Sequence, residues 1–277
     1  MVNTDQQQKA QNFKSLHHGS KVLVLPNAWD VASACIVEQA GFGAIATTSA
    51  GIAFTLGYPD GQKITRNEML QVVARIASSV RVPVTADVEA GYGDRPEDAA
   101  ETARAVIQAG AVGMNLEDAT NDPQNPLAPL SLQLERIAAV REEANSSLVP
   151  IVLNARTDIY LLQIGAAEKR YDETLRRLSA FREAGADCVF APGLKDAETI
   201  QRLASDLRCP LNILAGPGWP SIPELEKMGV ARVSLGSGPM RATLGLTEKI
   251  AKELKTSGTY KTLDGAMPYA DVNRILE

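Results

Sequence analysis

Acidic side chains stand at the ends of two consecutive strand-like segments. The run 82–88 is apolar and rich in β-branched residues, which predicts a buried strand of a parallel sheet, yet Asp87 and Glu89 stand two apart at its C-terminal end. Alternation along a strand places both acids on one face. The next strand-like run, 112–116, is followed by Glu117. Because unpaired buried carboxylates are unfavourable, the acids predict a divalent cation, and Mg²⁺ favours a site with few protein carboxylates and several waters.

Composition and charge exclude several classes of protein. With 277 residues, 45% of them hydrophobic, the chain can form one sizeable core, and α/β barrels reach this length as one domain. No apolar run approaches the roughly 18 residues that span a bilayer, which argues against a membrane protein. The net charge is −5 without a basic cluster, which argues against a nucleic-acid partner.

The N-terminus, the cysteines and the histidines limit location and chemistry. Residues 1–9 lack an apolar signal core, so we expect a cytoplasmic protein. The three cysteines are far apart in apolar or Ala-rich segments and are expected to be reduced core residues. His17 and His18 are the only histidines and precede the first strand, which nearly excludes a histidine-based triad or metal site.

Strand-like and helix-like segments alternate along the chain. Eight strands are predicted, at 22–25, 43–47, 82–88, 112–116, 149–155, 187–190, 211–214 and 232–235. With no linker or charge block between them, they predict a single (β/α)₈ TIM barrel domain over 1–277, with a leader helix in 1–20 and a helical tail at 238–277. A doubly wound open sheet is the rival fold, but no Gly-rich fingerprint follows the first strand.

Unusual polar residues collect where a barrel would place its active site, at the C-terminal ends of the strands. They are Thr47, Thr48, Asp60, Asp87, Glu89, Glu117, Asn154 and Arg156. Two long loops, 48–61 and 119–130, are candidate functional loops because mere connections are shorter. This coincidence predicts an enzyme.

The polar set predicts chemistry on a small anionic substrate. A metal on Asp87, supported by Glu89, Glu117 and Asp60, would act as a Lewis acid. The rigid fork of Arg156 suits a carboxylate or phosphonate. Together they favour a 2-oxo acid whose carbonyl chelates the metal, and they would stabilise an enolate.

Structural roles are the alternative for several of these residues. Asp87 or Glu89 could instead form a structural ion pair with Arg156 or Arg104. Asp60 lies in a Pro-Asp-Gly turn signature. Asp118, which follows Glu117, is better explained as a cap of the next loop, and Asp158 as a residue that orients Arg156.

Six segments carry motifs that point to one superfamily. They are Pro26-Asn-Ala-Trp-Asp30, Ala40-Gly-Phe-Gly-Ala-Ile45, Gly57-Tyr-Pro-Asp60, Asp87-Val-Glu-Ala-Gly-Tyr-Gly93, Ala109-Gly-Ala-Val-Gly-Met-Asn-Leu-Glu-Asp118 and Asn154-Ala-Arg-Thr-Asp158. Together they resemble the isocitrate lyase/phosphoenolpyruvate mutase superfamily over residues 20–190, and more weakly to 245. The resemblance implies a magnesium-dependent barrel, with Mn²⁺ as an alternative ion, that handles 2-oxo acids through a pyruvate enolate.

The resemblance also implies roles for individual residues and an assembly. Asp87 would be the direct metal ligand, and Glu89 and Glu117 would act through metal-bound waters. Members often exchange their last helix between subunits, so a homodimer or homotetramer is expected. The remaining implied site residues are Thr47, Thr48, Ser49 and Arg156 for substrate binding, and Arg156, Thr48, Asp60 and Asn125 for catalysis.

The loop after Glu117 departs from the superfamily pattern. The isocitrate and methylisocitrate lyases carry Lys-Arg-Cys-Gly-His there, whereas residues 119–129 contain no Cys, Lys or His. The mutases and phosphonopyruvate hydrolases have a lysine and an asparagine; Asn125 can stand for the asparagine, but the lysine is missing. An acid that lyases place after the sixth strand is replaced by Ala191-Pro-Gly193.

The sequence therefore predicts an enzyme that cleaves a C–C bond in a small 2-oxo or 2-hydroxy dicarboxylate through an enolate. A P–C bond enzyme, phosphonopyruvate mutase or hydrolase, is the first alternative, and a catalytically silent 2-oxo-acid binding protein is the second. A basic residue reaching the pocket from elsewhere would favour the phosphonate substrate, and an apolar wall would favour the C–C substrate.

Overall fold

Nine parallel strands form the central sheet of the computed structural model, which describes residues 4–277. They are β1 (Leu23–Leu25), β2 (Asn27–Ala28), β3 (Ile45–Thr47), β4 (Val84–Asp87), β5 (Gly113–Glu117), β6 (Val152–Arg156), β7 (Cys188–Phe190), β8 (Leu211–Leu214) and β9 (Arg232–Ser234).

The sheet closes into a barrel because two short consecutive strands, β1 and β2, pair with its two opposite ends. β1 pairs with β9, Leu23 opposite Arg232, while β2 pairs with β3, Asn27 opposite Ala46. Pro26 separates β1 from β2 and has no N–H to donate, so the hydrogen-bond ladder breaks there. β1 and β2 therefore pair with different neighbouring strands. The predicted (β/α)₈ barrel with additional C-terminal helices is thus confirmed.

Eleven α-helices of the described chain surround or extend the barrel. They are α1 (Thr4–Leu16), α2 (Val31–Gln39), α3 (Ser49–Thr55), α4 (Arg66–Ser79), α5 (Pro96–Gln108), α6 (Leu130–Ser147), α7 (Arg170–Glu183), α8 (Ala197–Leu207), α9 (Ile222–Lys227), α10 (Gly238–Thr256) and α11 (Tyr269–Leu276). Capping boxes at Asp30 and Thr65 start α2 and α4. No helix in residues 4–277 is both long and apolar enough to cross a membrane.

Two local expectations are wrong. The segment 48–61 is not an irregular loop throughout, because α3 begins directly after Thr48, whose side chain accepts a hydrogen bond from Gly51 N and caps the helix. Glu89 does not lie on a strand: β4 ends at Asp87, and Glu89 has a φ of 52°, in the left-handed region. Strand alternation is therefore not what brings Glu89 to the site.

The two ends of the barrel differ in what covers them. At the N-terminal ends of the strands, here called the floor, α1 places Phe13 near Gly113 and Thr85, and His17 packs edge-on against Phe13. At the C-terminal ends, here called the mouth, the chain leaves β4, β5 and β6 through Asp87, Glu117 and Arg156. Along β5, Met114 and Leu116 are fully buried core residues, while the alternate residue Asn115 contacts Asp87 inside the barrel.

Candidate active site

Asp87 is the most firmly held acid of the mouth. Its Oδ2 accepts hydrogen bonds from Ser49 N at 3.0 Å and Ser49 Oγ at 2.8 Å, and its Oδ1 accepts one from Asn115 Nδ2 at 3.3 Å. A carboxylate oxygen has two lone pairs, so within the described residues Oδ1 keeps one acceptor position and Oδ2 keeps none. The geometry leaves a single well-defined direction for a ligand of Asp87.

Glu89 lies beside Asp87 although it is not on the strand. Its Oε2 accepts a 2.6 Å hydrogen bond from Gln62 N, and the Tyr92 hydroxyl donates to Oε1 at 3.5 Å. Burial, followed by the negative charges of Asp60 and Asp87, raises the pKa of Glu89 to about 7. The carboxylates therefore repel one another, and a bound cation would relieve that repulsion.

Asp60 completes the acidic cluster from the segment that follows α3. Loss of hydration and then the charge of Asp87 raise the pKa of Asp60, although its side chain is exposed at the mouth. The structure thus brings Asp60, Asp87 and Glu89 close enough for their charges to interact. Asp60 can therefore belong to a Pro-Asp-Gly turn and still lie at the candidate site.

Glu117 and Arg156 are register neighbours on β5 and β6 and form an ion pair. Arg156 Nη1 lies 2.8 Å from Glu117 Oε2, while Nε and Nη2 donate to Asp158 at 2.5 and 2.9 Å. Burial alone would lower the pKa of Arg156, but Asp158 and Glu117 outweigh it and raise that pKa. Burial raises the pKa of Glu117, and the charge of Arg156 opposes this. The expectation that Asp158 orients Arg156 is confirmed.

The alternative ion pairs considered from the sequence are not formed among the described residues. Arg156 pairs with Glu117 and Asp158, not with Asp87 or Glu89, and Arg104 pairs with Glu143 at 2.7 Å on the outer surface. Asp87 and Glu89 consequently have no ion-pair partner among the described residues.

Asp118 has a structural role as expected, but its side chain does not cap the loop that follows it. The carboxylate is fully buried and accepts from Thr157 Oγ1 at 2.6 Å and from Asp158 N at 3.0 Å. Arg177 Nη1 completes its shell at 3.0 Å. Burial raises the pKa of Asp118 to about 6 against these partners. Asp118 thereby fixes the segment that carries Asp158 and, through it, Arg156.

The predicted substrate-binding residues at the end of β3 and the start of α3 form hydrogen bonds within the protein. Thr47 Oγ1 accepts from Asp87 N at 2.9 Å, and the Thr48 hydroxyl caps α3 through Gly51 N at 3.3 Å. Ser49 donates both its N–H and its hydroxyl to Asp87. All three residues are buried at the mouth, so the structure places them where predicted, while a direct contact with substrate stays a prediction.

Asn125 lies apart from the acids in a small closed turn. Its Nδ2 donates to Asp122 Oδ2 at 2.8 Å, and its carbonyl accepts from Thr120 Oγ1 at 2.5 Å. A bridge between Ala119 and Leu127 closes the base of this turn. Asn125 is exposed, so its predicted catalytic role requires this loop to move toward the mouth.

The donor set fits a magnesium ion that has one direct protein ligand. No three His, Cys, Asp or Glu side chains within residues 4–277 are placed to bind a metal directly together. Mg²⁺ usually retains several waters and binds through one or two carboxylates. The open lone pair of Asp87 suits such an ion, and the neighbouring charges of Glu89 and Asp60 suit its water ligands.

A cavity of about 800 Å³ opens near the mouth, but it is lined by none of the polar site residues Asp60, Asp87, Glu89, Glu117 and Arg156. Gln62 and Tyr92, which bond Glu89, form part of its wall, and Tyr92 N also donates to Gln62 Oε1 at 2.8 Å. Lys63, Arg66 and other residues of three loops complete the lining. The cavity therefore adjoins the residues that hold Glu89 and does not itself contain the acidic cluster.

Three site residues were missed by the sequence reasoning. Asn115 could have been found, because an amide in an otherwise apolar buried run is as unusual as a carboxylate. Gln62 and Tyr92 carried no comparable signal, since their contacts with Glu89 depend on how two loops meet.

Comparisons with known proteins identify relatives along nearly the whole chain. The profile of the phosphoenolpyruvate phosphomutase family matches residues 13–255. An uncharacterized protein of Mycobacterium tuberculosis is 34% identical over 261 residues, covering 94% of each chain.

Solved structures match the fold as well as the sequence. A proposed lyase/mutase from Burkholderia cenocepacia has a TM-score of 0.93 and 39% identity, over 98% of this chain and 96% of that one. The structure of 2,3-dimethylmalate lyase, a member of the phosphoenolpyruvate mutase/isocitrate lyase superfamily, has a TM-score of 0.84 and 28% identity, over 97% and 94% of the two chains.

Proposed function

The chain belongs to the phosphoenolpyruvate phosphomutase family, within the isocitrate lyase/phosphoenolpyruvate mutase superfamily, and from that premise we propose that it is a magnesium-dependent lyase. It cleaves a C–C bond of a small 2-oxo or 2-hydroxy dicarboxylate through an enolate. The observation that carries this proposal is the mouth itself, where mutually repelling Asp60, Asp87 and Glu89 stand next to Arg156. Superfamily membership alone supports only a lyase or mutase of small carboxylates.

Asp87 would hold the metal ion, with Glu89 and Glu117 acting on its water ligands. The ion would supply electrophilic polarisation of the substrate's oxo or hydroxy oxygen. Ser49 fixes Asp87 through two hydrogen bonds, so little reorganisation of this carboxylate is needed during the reaction.

Arg156 would hold a substrate carboxylate. Asp158 and Glu117 take three of its five N–H groups, which leaves two for a ligand among the described contacts. Because Asp158 and Glu117 also stabilise its charge, Arg156 remains cationic at any working pH. A water, or a residue of the loop 119–128, would supply the proton to the enolate.

A P–C bond substrate is the second candidate, and one observation favours it. Lys63 lines the cavity that adjoins Gln62 and Tyr92, the partners of Glu89, although the loop after Glu117 has no lysine. A lysine that reaches the cavity from another loop would suit a phosphonate. The remaining candidate, a binding protein without turnover, keeps the same metal and oxo-acid ligands.

A substrate panel separates these functions. We expect Mg²⁺-dependent product formation, lost on EDTA treatment and restored by Mg²⁺ or Mn²⁺, from a C–C substrate such as 2,3-dimethylmalate or oxaloacetate, followed by proton NMR. Turnover of phosphonopyruvate alone would favour the second candidate. Calorimetric binding of oxalate with Mg²⁺, without turnover of any panel member, would favour the binding protein.

Self-association is proposed as part of the same function. The helical tail exposes large apolar side chains, including Tyr269 at 83%, Tyr260 at 68% and Leu246 at 49% of their surface. A homodimer or homotetramer would cover them. Light scattering after gel filtration tests this, and a monomer at micromolar concentration would contradict it.

A further inference from the structure

A fully buried arginine crosses the barrel interior between the floor and the mouth. Arg232, the first residue of β9, has no solvent exposure, and its guanidinium lies 6.0 Å from the ring of Phe13. Its Nη2 donates to Asn115 Oδ1 at 3.4 Å, whereas Nε and Nη1 have no hydrogen-bond partner within the described chain. No carboxylate of residues 4–277 lies within ion-pair distance of it.

Arg232 is not explained by stability. Burial lowers its pKa, and a buried charge without a counter-ion destabilises the folded state. Arg177 is a useful contrast, because this largely buried arginine donates to Asp118, to Glu173 and to the carbonyl of Ala128. Replacing Arg177 would strand a buried carboxylate, but replacing Arg232 would strand none.

Arg232 determines which way the side chain of Asn115 points. Asn115 Oδ1 accepts from Arg232 Nη2 and from Asn154 Nδ2, the latter at 2.7 Å. If the amide were reversed, its NH₂ group would face two donors and its oxygen would face the carboxylate of Asp87. Arg232 can only donate and the Asp87 carboxylate can only accept, so these two groups hold Asn115 with Nδ2 toward Asp87 Oδ1. Asn154 could itself reverse, because its Oδ1 has no partner within the described chain.

We propose that Arg232 is a positioning residue for Asp87 that acts through the amide of Asn115. Ser49 donates to Oδ2 of Asp87 at the mouth, and Asn115 donates to Oδ1 from the barrel interior. Donation by a cation to Asn115 Oδ1 also polarises the amide and strengthens its bond to Asp87. The proposal rests on the proposed function in one respect, that Asp87 is the residue whose orientation matters for turnover.

The variant Arg232→Met tests the proposal, because methionine is apolar and fills much of the same space. We expect a melting temperature equal to or above that of the wild type, since an unpaired buried charge is removed. We expect kcat to fall at least tenfold, with KM changed less than threefold. A kcat within twofold of the wild type, or a large loss of thermal stability, would overturn the proposal.

A second readout does not depend on turnover. The side-chain NH₂ resonances of Asn115, identified in a ¹⁵N–¹H spectrum by their loss in Asn115→Leu, report the orientation of the amide. In Arg232→Met we expect them to shift or broaden because Asn115 Oδ1 loses one of its two donors, and unchanged resonances would overturn the proposal. If the wild-type enzyme turns over no panel substrate, the proposed function fails while this spectroscopic test still applies.

Two further variants complete the design. Arg177→Met is the matched buried arginine; we expect a lower melting temperature and unchanged Asn115 resonances, and altered resonances would contradict the specificity of the effect. Asn115→Leu removes the amide that connects Arg232 to Asp87 and leaves Arg232 in place. We expect it to lower kcat by a factor similar to that of Arg232→Met, and wild-type kcat would overturn the link.

Discussion

The mouth and the floor of the barrel differ in how they shift the pKa of ionisable side chains. At the mouth, burial and then the charges of Asp60 and Asp87 raise the pKa of Glu89 to about 7. At the floor, α1 seals the barrel, and burial followed by the charge of Arg232 lowers the pKa of His17 to about 4. The mouth keeps charges that a ligand can neutralise, while the floor keeps a titratable group neutral. Function is therefore expected at one end and stability at the other.

The largest effect is expected from removing the metal-binding carboxylate of the mouth. Asp87→Asn should lower kcat about 1,000-fold, because a metal ion contributes several kcal/mol of charge stabilisation in the transition state. Steady-state kinetics with saturating Mg²⁺ measures this. Glu198→Gln, which replaces an exposed acid on α8, is the control and should stay within twofold of the wild type. Comparable losses in both variants would remove the distinction between the acidic cluster and the surrounding surface.

The floor should show its effect in stability, not in turnover. His17 is buried, its Nδ1 bonds the carbonyl of Phe13 at 2.8 Å, and its folded pKa of about 4 lies below the ordinary 6.5. Between these pH values the unfolded chain binds a proton that the folded chain does not. His17 thus gives its full contribution above pH 6.5, and about 3 kcal/mol is lost as the pH falls toward 4.

Urea unfolding at a series of pH values between 7.5 and 4.5 measures that loss. His17→Phe should lower the slope of the unfolding free energy against pH in this window relative to the wild type. The raised pKa values of Glu89 and Asp118 contribute slopes of the opposite sign in both proteins. His18→Gln, the exposed neighbour, is the matched control and should leave it unchanged. If the slope of the unfolding free energy against pH is unchanged in His17→Phe, His17 does not cause the loss of stability at low pH.

Arg156 tests whether the mouth binds a carboxylate. Arg156→Lys removes the two-pronged contact with Asp158 and should raise KM about 30- to 100-fold, which corresponds to the roughly 2–3 kcal/mol of a charged hydrogen bond. Arg104→Lys, whose partner Glu143 lies on the outer surface, should leave KM unchanged. A KM for Arg156→Lys within threefold of the wild type would place the substrate elsewhere.

The smallest effect is a pH dependence of metal binding. Because the pKa of Glu89 is about 7, its carboxylate loses a proton as the pH rises through neutrality, and cation affinity should rise with it. Mn²⁺ titration followed by electron paramagnetic resonance should give an affinity gain of about tenfold or less between pH 6 and 8. Glu89→Gln should abolish that gain, and a gain that persists would assign the titration to another acid.

The barrel and the strand-end acids could be read from the sequence because both follow from local patterns. Alternating apolar runs and capping residues predict the elements, as Thr65 and Glu68 do for α4. A strand that ends in an acid places that acid at the mouth whatever its neighbours are, which is why Asp87 and Glu117 lie where they were predicted.

Only the tertiary structure decided how these groups are partnered. Glu89 reaches the site through a left-handed backbone turn and a bond from Gln62, and Arg156 is shared between Glu117 and Asp158. Arg232 meets Asn115 from 117 positions away along the chain. Coulomb energy and hydrogen bonding depend on separations in space, and these arise only when the barrel closes. The sequence by itself therefore determined which chemical groups stand at the mouth, and folding decided their charge, orientation and freedom to bind.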